Sequence, residues 1–150
     1  MAEFRFTKLV KADLARTFDV FSDLRAAPQR IEAIKRLEVL TDGPMRAGTR
    51  FRETRMMFNR EATEEMEVTD FQPGRSYTVC ANSCGTAWTC TYRFKPESGG
   101  TRVDMEMICR PVTFFAKLMT PLSMLMSGPM KKMLEKDLDD LRRHIETSAN

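Results

Sequence analysis

From Gly48 to Arg110 the chain runs in short segments that alternate apolar and polar residues, broken at Asn59-Arg60, Gln72-Pro73-Gly74, Cys84-Gly85 and Glu97-Ser98-Gly99-Gly100. A strand turns alternate side chains to opposite faces, and partners across a hairpin share a face, so this pattern predicts pairing as well as strands. A two-residue turn at Asn59-Arg60 sets Phe51 opposite Val68, Glu53 opposite Met66, Arg55 opposite Glu64 and Met57 opposite Ala62. On the other face Arg52 then meets Glu67 and Thr54 meets Glu65, as on a solvated surface. A turn at Cys84-Gly85 sets Tyr77 opposite Tyr92, Val79 opposite Cys90 and Ala81 opposite Trp88. The next turn sets Phe94 opposite Val103, Tyr92 opposite Met105, Cys90 opposite Met107 and Trp88 opposite Cys109. The three hairpins make one antiparallel meander whose apolar face needs another element to cover it.

The C-terminal segment supplies that cover. Met130, Leu134, Leu138, Leu141 and Ile145 recur at helical spacing, with Lys131, Lys132, Glu135, Asp139, Asp140 and Arg143 on the remaining sides. The preceding Met- and Phe-rich stretch, Val112 to Pro129, contains Pro121, Gly128 and Pro129, which predicts a broken or kinked approach. At the other end, EFRFTKLVKA predicts a first strand with Phe4, Phe6 and Val10 alternating around Lys8. Asp13 is the expected N-cap of a helix reaching Ser22, with Leu14, Phe18 and Phe21 on its buried face. A second short helix is expected to start near Pro28, with Ile31 and Ile34 as its apolar side, before a strand in RLEVLTDGP. The predicted fold is α+β: a curved antiparallel sheet wrapped around one long C-terminal helix, with two short helices after the first strand, and residues 1–150 as one domain.

Charge and cysteine usage narrow the function. The 24 basic and 21 acidic residues are interspersed and leave a net charge of +3, with no basic stripe for nucleic acid. No apolar run reaches the ~20 residues of a membrane-spanning helix, and the N-terminus does not read as a signal peptide. Cys80, Cys84, Cys90 and Cys109 show no CxxC spacing, and the single histidine, His144, lies near the C-terminus. The expectation is reduced thiols in a cytoplasmic protein, no metal site, no cofactor, and no histidine-based catalytic centre. The 12 methionines and 10 phenylalanines are the compositional departure; methionine packs irregular cores and also lines adaptable pockets.

The order of these elements resembles the Bet v 1-like, or START-like (SRPBCC), superfamily, and within it the bacterial polyketide cyclase/dehydrase group. The stretches that carry the resemblance are VKADLARTFDVFSDL, LEVLTDGPMRAGTRFRET, ATEEMEVTDFQPGRSYTV, GGTRVDMEM and LEKDLDDLRRHIE. Together they cover nearly the whole chain. The resemblance implies a helix-grip fold with an internal cavity between sheet and long helix. Members include lipid and hormone carriers, aromatase/cyclases and chaperone-activating domains. Where many members carry a tryptophan in the second short helix, this chain reads PQRIEAI, which puts the mouth of the pocket in question.

On the predicted register Glu53, Arg55 and Glu64 face inward. Arg55 and Glu64 form an ion pair with Glu53 beside them, either as a structural pair near the open end of the sheet or as the polar anchor of a greasy pocket. The expected walls from the sheet are Phe51, Met57, Met66, Tyr77, Val79, Trp88, Tyr92, Met105 and Met107, and from the C-terminal segment Phe115, Met119, Met126 and Met130. The leading function is binding or carrying a small hydrophobic or amphipathic molecule, lipid- or polyketide-like. A second is a cyclase, aromatase or dehydratase in which Arg55 polarises a carbonyl, Glu53 or Glu64 takes a proton and a tyrosine donates one. A third is an interaction module that uses the outer sheet face or Val112 to Pro129. Replacing Arg55 with Met is expected to change stability modestly and lower ligand affinity by about 1–3 kcal/mol.

Overall fold

The structure, a computed structural model, describes residues 2–83, 85–119 and 127–148. Strand β1 (Ala2–Val10) leads into α1 (Leu14–Ser22), a single 3₁₀ turn (Leu24–Ala26) and α2 (Ala27–Arg30). Then come β2 (Ile34–Val39), β3 (Arg50–Met57), β4 (Arg60–Gln72), β5 (Ser76–Ser83), β6 (Thr86–Glu97) and β7 (Gly100–Pro111). Two helices close the chain, α3 (Phe114–Leu118) and α4 (Ser127–Thr147). The sheet has seven strands in the order β1-β7-β6-β5-β4-β3-β2, every neighbouring pair antiparallel. It curves around α4 as the alternation and the helical stripe predict.

Local chemistry sets the element ends. Asp13 caps α1 by accepting from the Arg16 N–H at 2.8 Å, and Phe18 and Phe21 are buried on the face toward the sheet. Pro28 sits in the first turn of α2. That helix ends at Arg30, so Ile31 terminates it and Ile34 opens β2; both are buried, but Ile34 does so from a strand. Gly128 and Pro129 fall in the first turn of α4, where a proline costs no helical hydrogen bond. They begin the helix and do not kink it. Pro121 lies outside the described residues, as do Cys84, Met124 and Met126.

The β5–β6 and β6–β7 registers are those expected, including Tyr77 opposite Tyr92 and Cys90 opposite Met107. The β3–β4 register is not. The turn lies at Phe58-Asn59, both with positive φ, as a two-residue hairpin loop of the type I′ kind requires. Phe51 therefore pairs with Met66, Glu53 with Glu64 and Arg55 with Ala62. The slip is two residues along the partner, an even number, so every side chain keeps its face and only its neighbour changes.

Helix α4 buries Leu134, Leu138, Leu141 and Ile145 against the sheet and α1. Its polar contacts are specific. Lys8 of β1 reaches Glu135 at 2.9 Å and Asp139 at 3.2 Å, and Arg16 of α1 reaches the Ile145 carbonyl at 3.2 Å. Asp140 is buried and does not lie on a solvated side: it accepts from the Glu32 N–H at 3.0 Å and from Lys136. At one end of the sheet an aromatic cluster of Phe18, Phe21, Phe71, Tyr77, Tyr92 and Phe94 packs edge-to-face and stacked.

Candidate functional site

Between the inner face of the sheet and α4 lies a cavity of about 700 Å³. Phe51, Met66, Tyr77, Val79, Met105 and Met107 form buried wall from β3 to β7. Met57, Trp88, Tyr92 and Met130 also line it and are only half-buried. Ile34, Leu37, Met133, Leu134, Leu138 and Leu141 also belong to the apolar lining. Phe115 does not belong to it. Helix α3 is one short turn capped by the Thr113 side chain, and it presents Phe114, Phe115 and Leu118 outward while only Ala116 faces the cavity. Met119, at the C-cap of that turn, is half-buried outside the lining.

One polar cluster interrupts the apolar wall. Arg55 Nη2 donates to Asp137 Oδ2 of α4 at 2.7 Å, and Arg55 Nε donates to Glu53 Oε2 on its own strand at 3.2 Å. Glu64, directly across from Glu53, does not bind Arg55; it accepts from the Trp88 indole N–H at 2.9 Å. The expected Arg55–Glu64 pair is thus replaced by an Arg55–Asp137 pair. The register explains it: small Ala62 sits opposite Arg55, and the guanidinium extends past it to the helix.

Asp137 is the site residue that the sequence reading passed over. It lies three residues after Leu134 and four before Leu141, on the apolar stripe of α4. An acid on the buried stripe of an amphipathic helix needs a partner, and that was the available signal.

The electrostatics follow from one cation among several acids. Burial pushes the Glu53 carboxyl above its ordinary value; Arg55 pulls it down, while Asp137 and Glu64 push it up again. Burial likewise raises Asp137 against the pull of Arg55. For Arg55 burial opposes the charge, but Asp137 and Glu53 hold its pKa above normal, so the guanidinium stays ionised. Among the described lining residues Arg55 is the single cation. The Tyr77 hydroxyl donates to the Phe21 carbonyl at 3.0 Å, and burial holds both Tyr77 and Tyr92 well above the usual phenol range. Burial pushes the Cys90 thiol up to about 12 and raises Cys109 as well, which makes both poor nucleophiles. No group of three or more His, Cys, Asp or Glu side chains that could hold a metal ion occurs among the described residues.

A family profile described as polyketide cyclase / dehydrase and lipid transport matches residues 1–146. Among solved structures, TTHA0849 from Thermus thermophilus superposes with a TM-score of 0.78 at 19% identity, over 99% of this chain and 100% of that one. Ara h 8.0201 superposes with a TM-score of 0.78 at 12% identity, over 98% of this chain and 99% of that one. The di-domain ARO/CYC StfQ from the steffimycin biosynthetic pathway gives a TM-score of 0.77 at 12% identity, over 94% of this chain and 50% of that one. At these identities the likeness is one of fold. No curated protein sequence matches the chain.

Proposed function

The chain belongs to the polyketide cyclase/dehydrase and lipid transport family, and from that premise we propose that it binds a small, mostly apolar molecule in the cavity between sheet and α4. The observation that carries this reading is the Arg55–Glu53–Asp137 cluster, with Arg55 the single cation among the described lining residues of a mainly apolar wall. A cavity of about 700 Å³ is within the range of small-molecule sites, which are mostly apolar with a few polar groups that fix orientation. Burial of the ligand's apolar body supplies affinity at roughly 25 cal/mol per Å². Arg55 is already committed to two carboxylates, so the ligand's polar end meets acceptors more than free donors. A hydroxyl or an amine suits it better than a carboxylate.

The family and the StfQ likeness keep a second reading in view, polyketide cyclisation or dehydration. Glu53 favours it. Arg55 makes its shorter contact with Asp137 and holds Glu53 through one oxygen, and burial leaves that carboxyl readier than usual to hold a proton. Of the two tyrosines, Tyr77 has its proton committed to the Phe21 carbonyl, and the Tyr92 hydroxyl is hydrogen-bonded with the Cys90 thiol. Arg55 is poorly placed to polarise a carbonyl while it bridges two acids.

Native mass spectrometry of the purified protein, followed by solvent extraction, tests the binding reading. The expected result is an added mass that extraction identifies as an apolar compound with a donor at one end. A bare mass, with no calorimetric signal for any apolar probe of fitting size, would sink it. Turnover of a linear polyketone that is lost in Glu53→Gln, with binding retained, would choose the second reading.

A further inference from the structure

The segment that fails to line the cavity has its own character. Phe114, Phe115 and Leu118 of α3 are 82%, 70% and 64% exposed, with Val112 exposed beside them. Large apolar side chains exposed together mark a contact surface, whereas single ones do not. The charge pattern is equally distinct. Between Glu106 and Glu135 the sequence contains no acidic residue, yet it carries Arg110, Lys117, Lys131 and Lys132. Elsewhere the two signs are interspersed. All four cations are exposed.

The fold gathers these residues at one end of the cavity. Gly85, with φ of 77° in the β5–β6 turn, accepts from the Val112 and Thr113 N–H groups at 2.8 and 3.3 Å, and a side chain there would collide with Thr113. That turn therefore pins the start of α3. Pro111, Ala116, Ser127 and Met130 line the cavity from the same region. Arg110 ends β7, Lys117 lies on α3, and Lys131 and Lys132 follow the first turn of α4.

We infer that this end of the molecule docks on an anionic lipid bilayer, with Phe114, Phe115 and Leu118 entering the interface and Arg110, Lys117, Lys131 and Lys132 lying over the headgroups. Interfacial binding scales with buried apolar area plus attraction of basic side chains to anionic lipid, and this surface has both. A second copy is a worse occupant. A two-fold contact through this face sets four cations of one copy against the same four of the other. The docking places the cavity end at a source of apolar molecules, but it stands or falls independently of what the cavity holds.

The test is sedimentation of the whole chain with phosphatidylcholine vesicles, with and without phosphatidylglycerol. Binding to the mixed vesicles alone, weakened by added salt, is the expected result. Phe114→Ser/Phe115→Ser should weaken it by at least about tenfold, and Lys131→Glu/Lys132→Glu by several-fold, each with an unchanged far-ultraviolet circular dichroism spectrum. No binding to the mixed vesicles overturns the proposal, as does equal binding by the double phenylalanine variant. A dimer in solution that Phe114→Ser/Phe115→Ser dissociates, without vesicle binding, reassigns the face to a second copy. Retained binding of a small apolar probe by either variant shows that the cavity is intact, so a negative vesicle result bears on docking alone.

Discussion

Two clusters of the same chemistry join the sheet to α4. In each, a cation on a strand stands between two carboxylates: Lys8 with Glu135 and Asp139, and Arg55 with Asp137 and Glu53. Their surroundings differ. The Glu135 side chain is 45% exposed, while that of Glu53 is 13% exposed and faces the cavity. At the edge, water still reaches Glu135, and the pair is a modest clasp whose Glu135 hydrogen bond raises the Lys8 pKa. Inside, water is largely gone: burial raises both acids against the pull of Arg55, and the two acids in turn fix the arginine charge. The lesson is that the same three charged groups differ in electrostatics and in their cost to stability according to how much water they keep.

The largest test removes the inner cation. Arg55→Met leaves Glu53 and Asp137 buried without a partner, and stability should fall by about 3–5 kcal/mol, measured by urea denaturation. This exceeds the modest change expected before Asp137 was known to share the cluster. Adding Glu53→Gln and Asp137→Asn should recover most of the loss; failure to recover would mean that Arg55 acts through packing and not charge.

Acidity separates the clusters next. Both inner acids titrate above their ordinary values in the folded chain. Between the ordinary range and the raised one the native state holds more protons than the unfolded state, so their contribution to stability falls as pH rises through that window. Denaturation midpoints taken upward from about pH 4, the ordinary carboxyl range, should show this slope in the wild type and lose it in Glu53→Gln/Asp137→Asn. An identical slope in that variant would assign the effect elsewhere.

The outer clasp should matter least. Lys8→Met is expected to cost at most about 1 kcal/mol, as partly exposed ion pairs do, and to respond to salt. A loss as large as that of Arg55→Met would erase the distinction. Between the two clusters in effect lies Trp88→Phe, which removes the bond to Glu64 and should cost about 1–2 kcal/mol by thermal melting.

Much of this arrangement was legible in the residues, and the exceptions share a cause. Alternation identified the strands and the inner face, because burial on one side repeats every second residue. It gave the β5–β6 and β6–β7 partners where Gly85 and Gly99-Gly100 marked the turns. In β3–β4 an apolar Phe58 occupies a turn position at positive φ, so it passed for strand and moved the expected turn onward by one residue. The inward set survived that error and the Arg55–Glu64 pairing did not. Asp137 was missed because a helix stripe marks apolar positions, and a charge placed on it is explained only by a partner 82 residues away in sequence. Phe115 was drawn inward by composition, while the direction of α3 depends on Thr113 and the contact with Gly85.

Arg55 also spans two elements, and this governs how the cavity discriminates. Arg55 holds one oxygen of each carboxylate, Glu53 Oε2 and Asp137 Oδ2, so on the proposed function a ligand hydroxyl or amine donates to the remaining lone pairs and leaves the bridge in place. A molecule that breaks the Arg55 bridge without replacing its bonds bears the full penalty of stranded charge. On the proposed function, such a cavity admits many apolar bodies and is strict about only one end of them.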